Sequence, residues 1–310
     1  MYSYNYNEKN KFLYISLNSK INYSFEFINN STDMLKKIIN SPCSTVIFLY
    51  QDLDNSFDKM GLAYLYILLL YIVHNKKVLI DKNISNLFTE HTSHSKNGKL
   101  MEINISDMLK NNTANSFNFT NENSVNEAVQ AIVNFIISKN LVFNATEFLF
   151  TTIGEIFSNA FNHSNEKSIY LMYDILYKNN NFYLIINITD FGKTIIGNIR
   201  EYKQLSENII FESEDCVKWA IQPGNTTRSG SGGYGLPTLI SYVKAINGEL
   251  YIFSGDCFYS LVDLKENISL SKGMFYGTSV SMTIPLYDCS KIITYDSKTN
   301  TVNSISLDKV

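Results

Sequence analysis

Hydrophobic and polar positions along the chain lay out a succession of short strands and amphipathic helices. Residues 11–17 and 23–27 read as strands, and 45–50 (TVIFLY) is dense in β-branched and aromatic side chains. After a polar turn at 51–56, residues 61–74 are apolar on all sides and 77–80 is again strand-like. That order predicts a βαβ unit whose helix is buried between layers, hence a compact α/β domain. From 90 to 123 the chain turns polar and rich in Asn, Ser and Lys, which places a linker there. Residues 124–138 and 145–163 carry apolar residues at three-to-four spacing, two helices joined by 139–144 and expected to pack as a pair. Strands at 168–176 and 182–189 flank Lys178-Asn179-Asn180-Asn181, a run suited to an antiparallel hairpin turn. A helix at 236–246, capped by Asn247-Gly248, leads into strands at 249–254, 258–264 and 278–285. The expected fold class is α/β, an α+β two-layer sandwich with helices on one face of a mixed sheet. Its expected divisions are a small domain at 1–115, a second at 116–290 and a weakly structured tail at 291–310.

Composition excludes more than it assigns. The 310 residues are 45% hydrophobic and 18% charged, which rules out a disordered or collagen-like chain. With 26 basic against 29 acidic residues, no nucleic acid and no anionic membrane is expected as a partner. Cys43, Cys216, Cys257 and Cys289 lie far apart without a CxxC pair, so a zinc knuckle or disulfide framework is not indicated. The opening MYSYNYNEKNKF lacks the apolar core of a secretory signal, and the longest apolar run, 61–73, is short of a membrane span. A cytoplasmic location is expected.

Four segments carry candidate chemistry. In EIFSNAFNH, Glu155 and Asn159 are four apart and share a helical face with His163, while Ile153, Ile156, Phe157 and Ala160 form the face to bury. Mg²⁺ takes hard oxygen ligands and few of them from protein, which suits the Asn159 carbonyl. A carboxylate one turn earlier, Glu155, is placed to act as general base on water or a hydroxyl. The fragment alone also fits a solvated helix edge. In ITDFGKTI, Asp190 can accept from an exocyclic amine such as that of adenine, and Gly192 lets backbone approach a ligand. An Asx-turn ending the strand explains the same letters. The run TTRSGSGGYGLP holds Arg228, Gly230, Gly232, Gly233, Gly235 and Leu236 at the start of a helix, with Pro237 in its first turn. Free amides there form an anion site for a triphosphate, although a mobile linker looks similar. Finally, Gly277-Thr278 opens the last apolar strand, where a hydroxyl can reach a phosphate or ordered water.

Taken in this order and spacing, the four segments resemble the GHKL superfamily, the histidine kinase-like ATP-binding module shared with gyrase and the heat-shock chaperone ATPase. The resemblance covers about 124–286. It implies a Bergerat-type sandwich binding ATP and Mg²⁺, with Asn159 on the metal, Asp190 and Gly192 at adenine, the 230–235 loop over the phosphates, and Thr278 near the base. EIFSNAFNHS is similar to the E-x3-N-A-x2-H helix of anti-sigma-factor serine kinases, which brings in His163 and implies hydrolysis or γ-phosphate transfer to a protein Ser or Thr. The alternative is a non-catalytic, ATP-gated interaction module. Where the superfamily has D-x-G-x-G, this chain has Thr194 in place of the second glycine, implying a stiffer lid hinge. The stretch 193–229 reads as a lid with its own helix around 214–221. Its Lys193 and Arg228 can meet γ-phosphate charge, with surface solvation the plainer role for Lys193.

The front of the chain, 45–80, resembles STAS domains, the partner fold of anti-sigma kinases. At the phosphoacceptor position it has Asp58-Lys59-Met60-Gly61, so self-phosphorylation is not expected, and docking, sensing or dimerising is the inferred role. The partners implied are ATP and a regulatory protein, of STAS type or otherwise, with a homodimer left open. His74 ends an apolar helix with no acidic residue after it, unlike a phosphoacceptor helix. His91 and His94 have only Glu90 beside them, too little for a metal site. Trp219 reads as an ordinary core or surface aromatic.

Overall fold

The computed structural model describes residues 2–17, 25–50, 59–81, 83–84, 101–103, 115–119, 124–142, 146–163, 169–227, 232–288, 291–296 and 301–306. The chain divides into two units, 1–116 with 271–275, and 117–270 with 276–310.

The first unit is built on strands β1 (Tyr2–Asn7), β2 (Phe12–Leu17), β3 (Thr45–Tyr50), β4 (Lys77–Ile80) and β5 (Met101–Ile103), lying side by side in that order. Helix α1 (Phe25–Asn40) connects β2 to β3, and α2 (Lys59–Asn75) connects β3 to β4. β2, β3 and β4 are parallel, while β1 and β5 run antiparallel at the edges. The βαβ unit expected over 45–80 is therefore present. Side chains 64–69 and Ile72 of α2 are all at most 1% exposed, as its unbroken apolar run requires. One expectation fails: residues 25–27 begin α1 and are not a strand. Residues 29–32 (NNST) depress helix propensity at its centre, yet Met34, Leu35 and Ile38 bury on one stripe. Buried Ser31 joins them because its hydroxyl donates to Tyr64 Oη at 3.3 Å.

The second unit runs through α3 (Ser124–Ser138), β7 (Leu141–Val142), α4 (Thr146–His163), β8 (Ile169–Lys178), β9 (Asn181–Asp190), α5 (Ile195–Glu207), α6 (Ser213–Ala220), α7 (Gly235–Ala245), β10 (Glu249–Val262) and β11 (Lys265–Asp288). Its sheet has the order β10-β11-β9-β8-β6, where β6 is Asn115–Phe119, and β7 pairs with the end of β11. Strand periodicity sets the core face. Ile169, Leu171 and Tyr173, Leu184, Ile186 and Ile188, and Val280, Met282 and Ile284 alternate inward from three adjacent strands. They meet Ala128, Val129, Ile132 and Ile136 of α3 and Ile153, Ile156, Phe157 and Ala160 of α4, the face anticipated for that helix. Along β10 the inward set changes parity, from Leu250 and Ile252 to Cys257, Tyr259 and Leu261. One extra residue at Gly255, whose φ is 63°, accounts for the shift as a bulge.

The hairpin at Asn179-Asn180 has both residues at positive φ, 52° and 61°, as a tight β-turn of this handedness needs. Helix α7 ends in a Schellman motif, with Gly248 N–H donating to Val243 O at 2.8 Å and Asn247 N–H to Lys244 O at 3.1 Å. Five other expectations are corrected. The supposed linker 90–123 supplies β5 and β6, and the 139–144 connection holds β7. The strands expected at 249–254 and 258–264 are one strand through the bulge, and 278–285 is the second half of a longer β11. The tail contains a hairpin of β12 (Lys291–Asp296) and β13 (Thr301–Ser306). Among the described residues no helix is long and apolar enough to cross a membrane.

Candidate functional site

A cleft of about 360 Å³ opens within the second unit, inside the usual range of about 300–1,000 Å³ for small-molecule pockets. One wall is α4. Because Ile153, Phe157 and Ala160 must face the sheet, the helix turns Glu155 and Asn159 toward the cleft. Glu155 is exposed and Asn159 half-buried, and among the described residues no hydrogen bond engages either side chain. The Asn159 carboxamide is thus available as a hard oxygen ligand, and a single such ligand suits Mg²⁺. Glu155 lies against the start of α7: a Cβ added at Gly235 would sit 2.7 Å from its Oε2.

The floor is the end of β9 with the middle of β11. Asp190 pairs with Thr278 in the antiparallel register, and both line the cleft. Asp190 is 5% exposed, and its Oδ1 accepts from Gly192 N–H at 2.9 Å. The Asx-turn and a place in the cleft are therefore both realised at this residue. Gly192 does not line the cleft; its part is that hydrogen bond. The close approach of β11 to Asp190 depends on Gly277, at φ 140°, since a Cβ there would fall 2.0 Å from Asp190 O.

The far wall is α5, α6 and the segment leading to α7. Thr194 caps α5, its hydroxyl accepting from Gly197 N–H at 2.9 Å. That is the physical use of the residue standing where the second glycine was anticipated. Arg200 ties α5 to the start of α6 by donating to Phe211 O and Ser213 Oγ, each at 2.9 Å. Gly224 N–H donates to Gly233 O at 3.0 Å, tying the turn after α6 to the residues just before α7. Gly232, Gly233, Gly235 and Leu236 all line the cleft. Arg228 and Gly230 lie outside the described residues, as do His91, His94 and the side chain of His163.

Two contributors, Ser254 and Trp219, had no signal that composition or spacing could pick out. Ser254, 1% exposed on β10, accepts from Ile195 N–H at 2.9 Å, donates to Gly277 O at 3.0 Å and lies 2.9 Å from Thr278 Oγ1. It pins α5 to β10 and β11 beside the floor. Trp219 lines the cleft from α6, backed by Tyr202 at 5.8 Å between ring centroids and by Lys203 Nζ 5.2 Å over its face. Lys193, noted in the sequence for its charge, also lines the cleft and forms a partly exposed ion pair with Glu201 of α5.

Compared with known proteins, the chain matches no family model and no curated sequence. The reading of the cleft therefore rests on its residues. Polar oxygen donors sit on α4 and β9, apolar Ile156, Ile188, Ile199 and Val280 line the interior, and a glycine-rich segment ending in a helix N-terminus closes one side. Such a mixture of an apolar interior with a few convergent polar groups is what a small-molecule pocket uses to hold and orient a ligand.

Proposed function

We propose that the chain is an Mg·ATP-binding protein of GHKL type that hydrolyses ATP or transfers its γ-phosphate to a protein Ser or Thr, acting as a nucleotide-dependent regulator. The observation that carries this reading is convergence. Glu155, Asn159, Asp190, Gly232, Gly233, Gly235, Leu236 and Thr278, from four separate stretches of chain, line one cleft. Their separation in sequence leaves no local reason for them to meet.

In this reading Asp190 accepts from the adenine amine beside Thr278, and Ile156, Ile188 and Val280 cover the ring. Asn159 holds Mg²⁺, which when bound offsets charge on the phosphates. The amides at the start of α7 receive the phosphate end, and Glu155, exposed and next to Gly235, removes a proton from water or an incoming hydroxyl. For the first unit the proposal is a docking, sensing or dimerising role, based on the likeness of 45–80 to STAS domains.

The test is phosphate release and ATP affinity in wild type and Glu155→Ala. Retained affinity with turnover lost in the variant supports the enzyme. Binding by both proteins with release by neither makes the chain an ATP-gated interaction module instead. Labelled ATP with candidate protein partners separates transfer from hydrolysis, since only transfer leaves label on protein.

A further inference from the structure

Among the described residues lining the cleft, Glu155 and Asp190 are the acids and Lys193 is the one cation. A polyphosphate entering such a wall meets two carboxylates, so the site needs positive charge at the right moment. In the structure that charge is engaged elsewhere. Lys193 Nζ pairs with Glu201, a residue of α5 that does not line the cleft. The lysine stem reaches Glu201 by lying along the helix over Gly197, where a Cβ would come within 3.7 Å of Lys193 Cγ. That separation is an ordinary van der Waals contact, so the stem packs on the first turn of the helix. The side chains of Lys193 and Glu201 are 34% and 56% exposed. An ion pair this open to water is weakly held, whereas an ammonium against phosphate oxygens in a partly enclosed cleft makes a stronger, charge-assisted bond.

We propose that Lys193 is a polyphosphate-binding side chain held in reserve by Glu201, which competes with the ligand for the ammonium. This rests on the nucleotide reading above and adds a residue and a regulatory partner to it. Because Glu201 is the competitor, the two halves of the pair have opposite effects on affinity, which no merely structural ion pair produces.

The experiment is calorimetric titration of full-length wild type, Lys193→Ala and Glu201→Gln with Mg·ATP and, separately, with adenosine, which lacks phosphate. Lys193→Ala is expected to weaken Mg·ATP about tenfold, equal to about 1.4 kcal/mol, with adenosine unchanged. Glu201→Gln is expected to tighten Mg·ATP by about two- to fivefold, again with adenosine unchanged. Raising the salt concentration should shrink both differences. If both variants weaken Mg·ATP, or if ATP and adenosine move together, the proposal is overturned while the nucleotide reading stands. If wild type binds neither ligand, the nucleotide reading itself fails.

Discussion

Replacing Ser254 by alanine removes one buried oxygen and three hydrogen bonds, and it leaves the rest of the packing intact. Ile195 N–H loses its acceptor at 2.9 Å and the buried Gly277 carbonyl loses its donor at 3.0 Å. The Thr278 hydroxyl, on the cleft wall, can turn to water instead. A net hydrogen bond is worth about 1 kcal/mol, and stranding a buried donor or acceptor costs about 1–3 kcal/mol. One stranded buried carbonyl together with the bond lost at the partly exposed Ile195 N–H therefore places the loss for the second unit at about 2–4 kcal/mol. Urea unfolding followed by Trp219 fluorescence measures it, because Trp219 is the only tryptophan of the chain and belongs to this unit. Ser260→Ala is the control: the residue is half-buried on the same strand, its hydroxyl makes no hydrogen bond among the described residues, and the variant should stay within about 0.5 kcal/mol of wild type. Amide exchange at Ile195 should accelerate in Ser254→Ala alone. A loss under about 1 kcal/mol, or one matched by Ser260→Ala, would show that Ser254 does not hold the junction of α5, β10 and β11.

Other outcomes follow from the same geometry. Asn159→Ala should weaken Mg·ATP about 10–100-fold while adenosine binding, which needs no metal, stays near wild type in calorimetry. In the first unit, Asp33 accepts from Tyr2 Oη at 2.7 Å and pairs with Lys37 at 2.8 Å. The Lys37 and Tyr2 hydrogen bonds hold the Asp33 carboxyl below its ordinary pKa. Its contribution is therefore present above the unfolded value and lost as pH falls through the lower folded one. Since the pair is well exposed, Asp33→Asn should cost under about 1 kcal/mol at pH 7. Hydrogen exchange in β1 should show that difference vanishing in strong acid. Burial pushes the Cys216 thiol up to about 11 and Cys257 to about 12, so neither should react with a thiol reagent at pH 8 until urea unfolds the second unit.

Elements whose side chains sort cleanly by period could be read from the sequence. The apolar stripe of α4 and the two asparagines of the β8–β9 turn are cases where local pattern and tertiary environment agree. Elements whose burial rests on tertiary partners could not. In α1, Ser31 looks like a solvent residue until Tyr64 is opposite it. Ser254-Gly255 looks like a strand end because a bulge interrupts the two-residue period, although β10 continues beyond it. β12 and β13 are short, and their mutual register sets Ile292 opposite Ile305 and Tyr295 opposite Val302, a pairing between two segments of a stretch read from the sequence as a weakly structured tail. The cleft followed the same division. Residues in motifs with a fixed spacing could be nominated one by one, and most of those described line one cleft. Trp219, Ser254 and the pairing of Lys193 with Glu201 depend on how α5 and α6 stack against the floor, which spacing does not encode.

The central claim is that the cleft receives an adenine nucleotide with its base at Asp190. The direct measurement is titration of Mg·ATP into wild type and Asp190→Asn, read in parallel by calorimetry and by Trp219 emission. Saturable binding at one site, a change in Trp219 emission and a loss of affinity of at least about tenfold in Asp190→Asn are predicted. Absence of binding, or equal affinity in the two proteins, would contradict it.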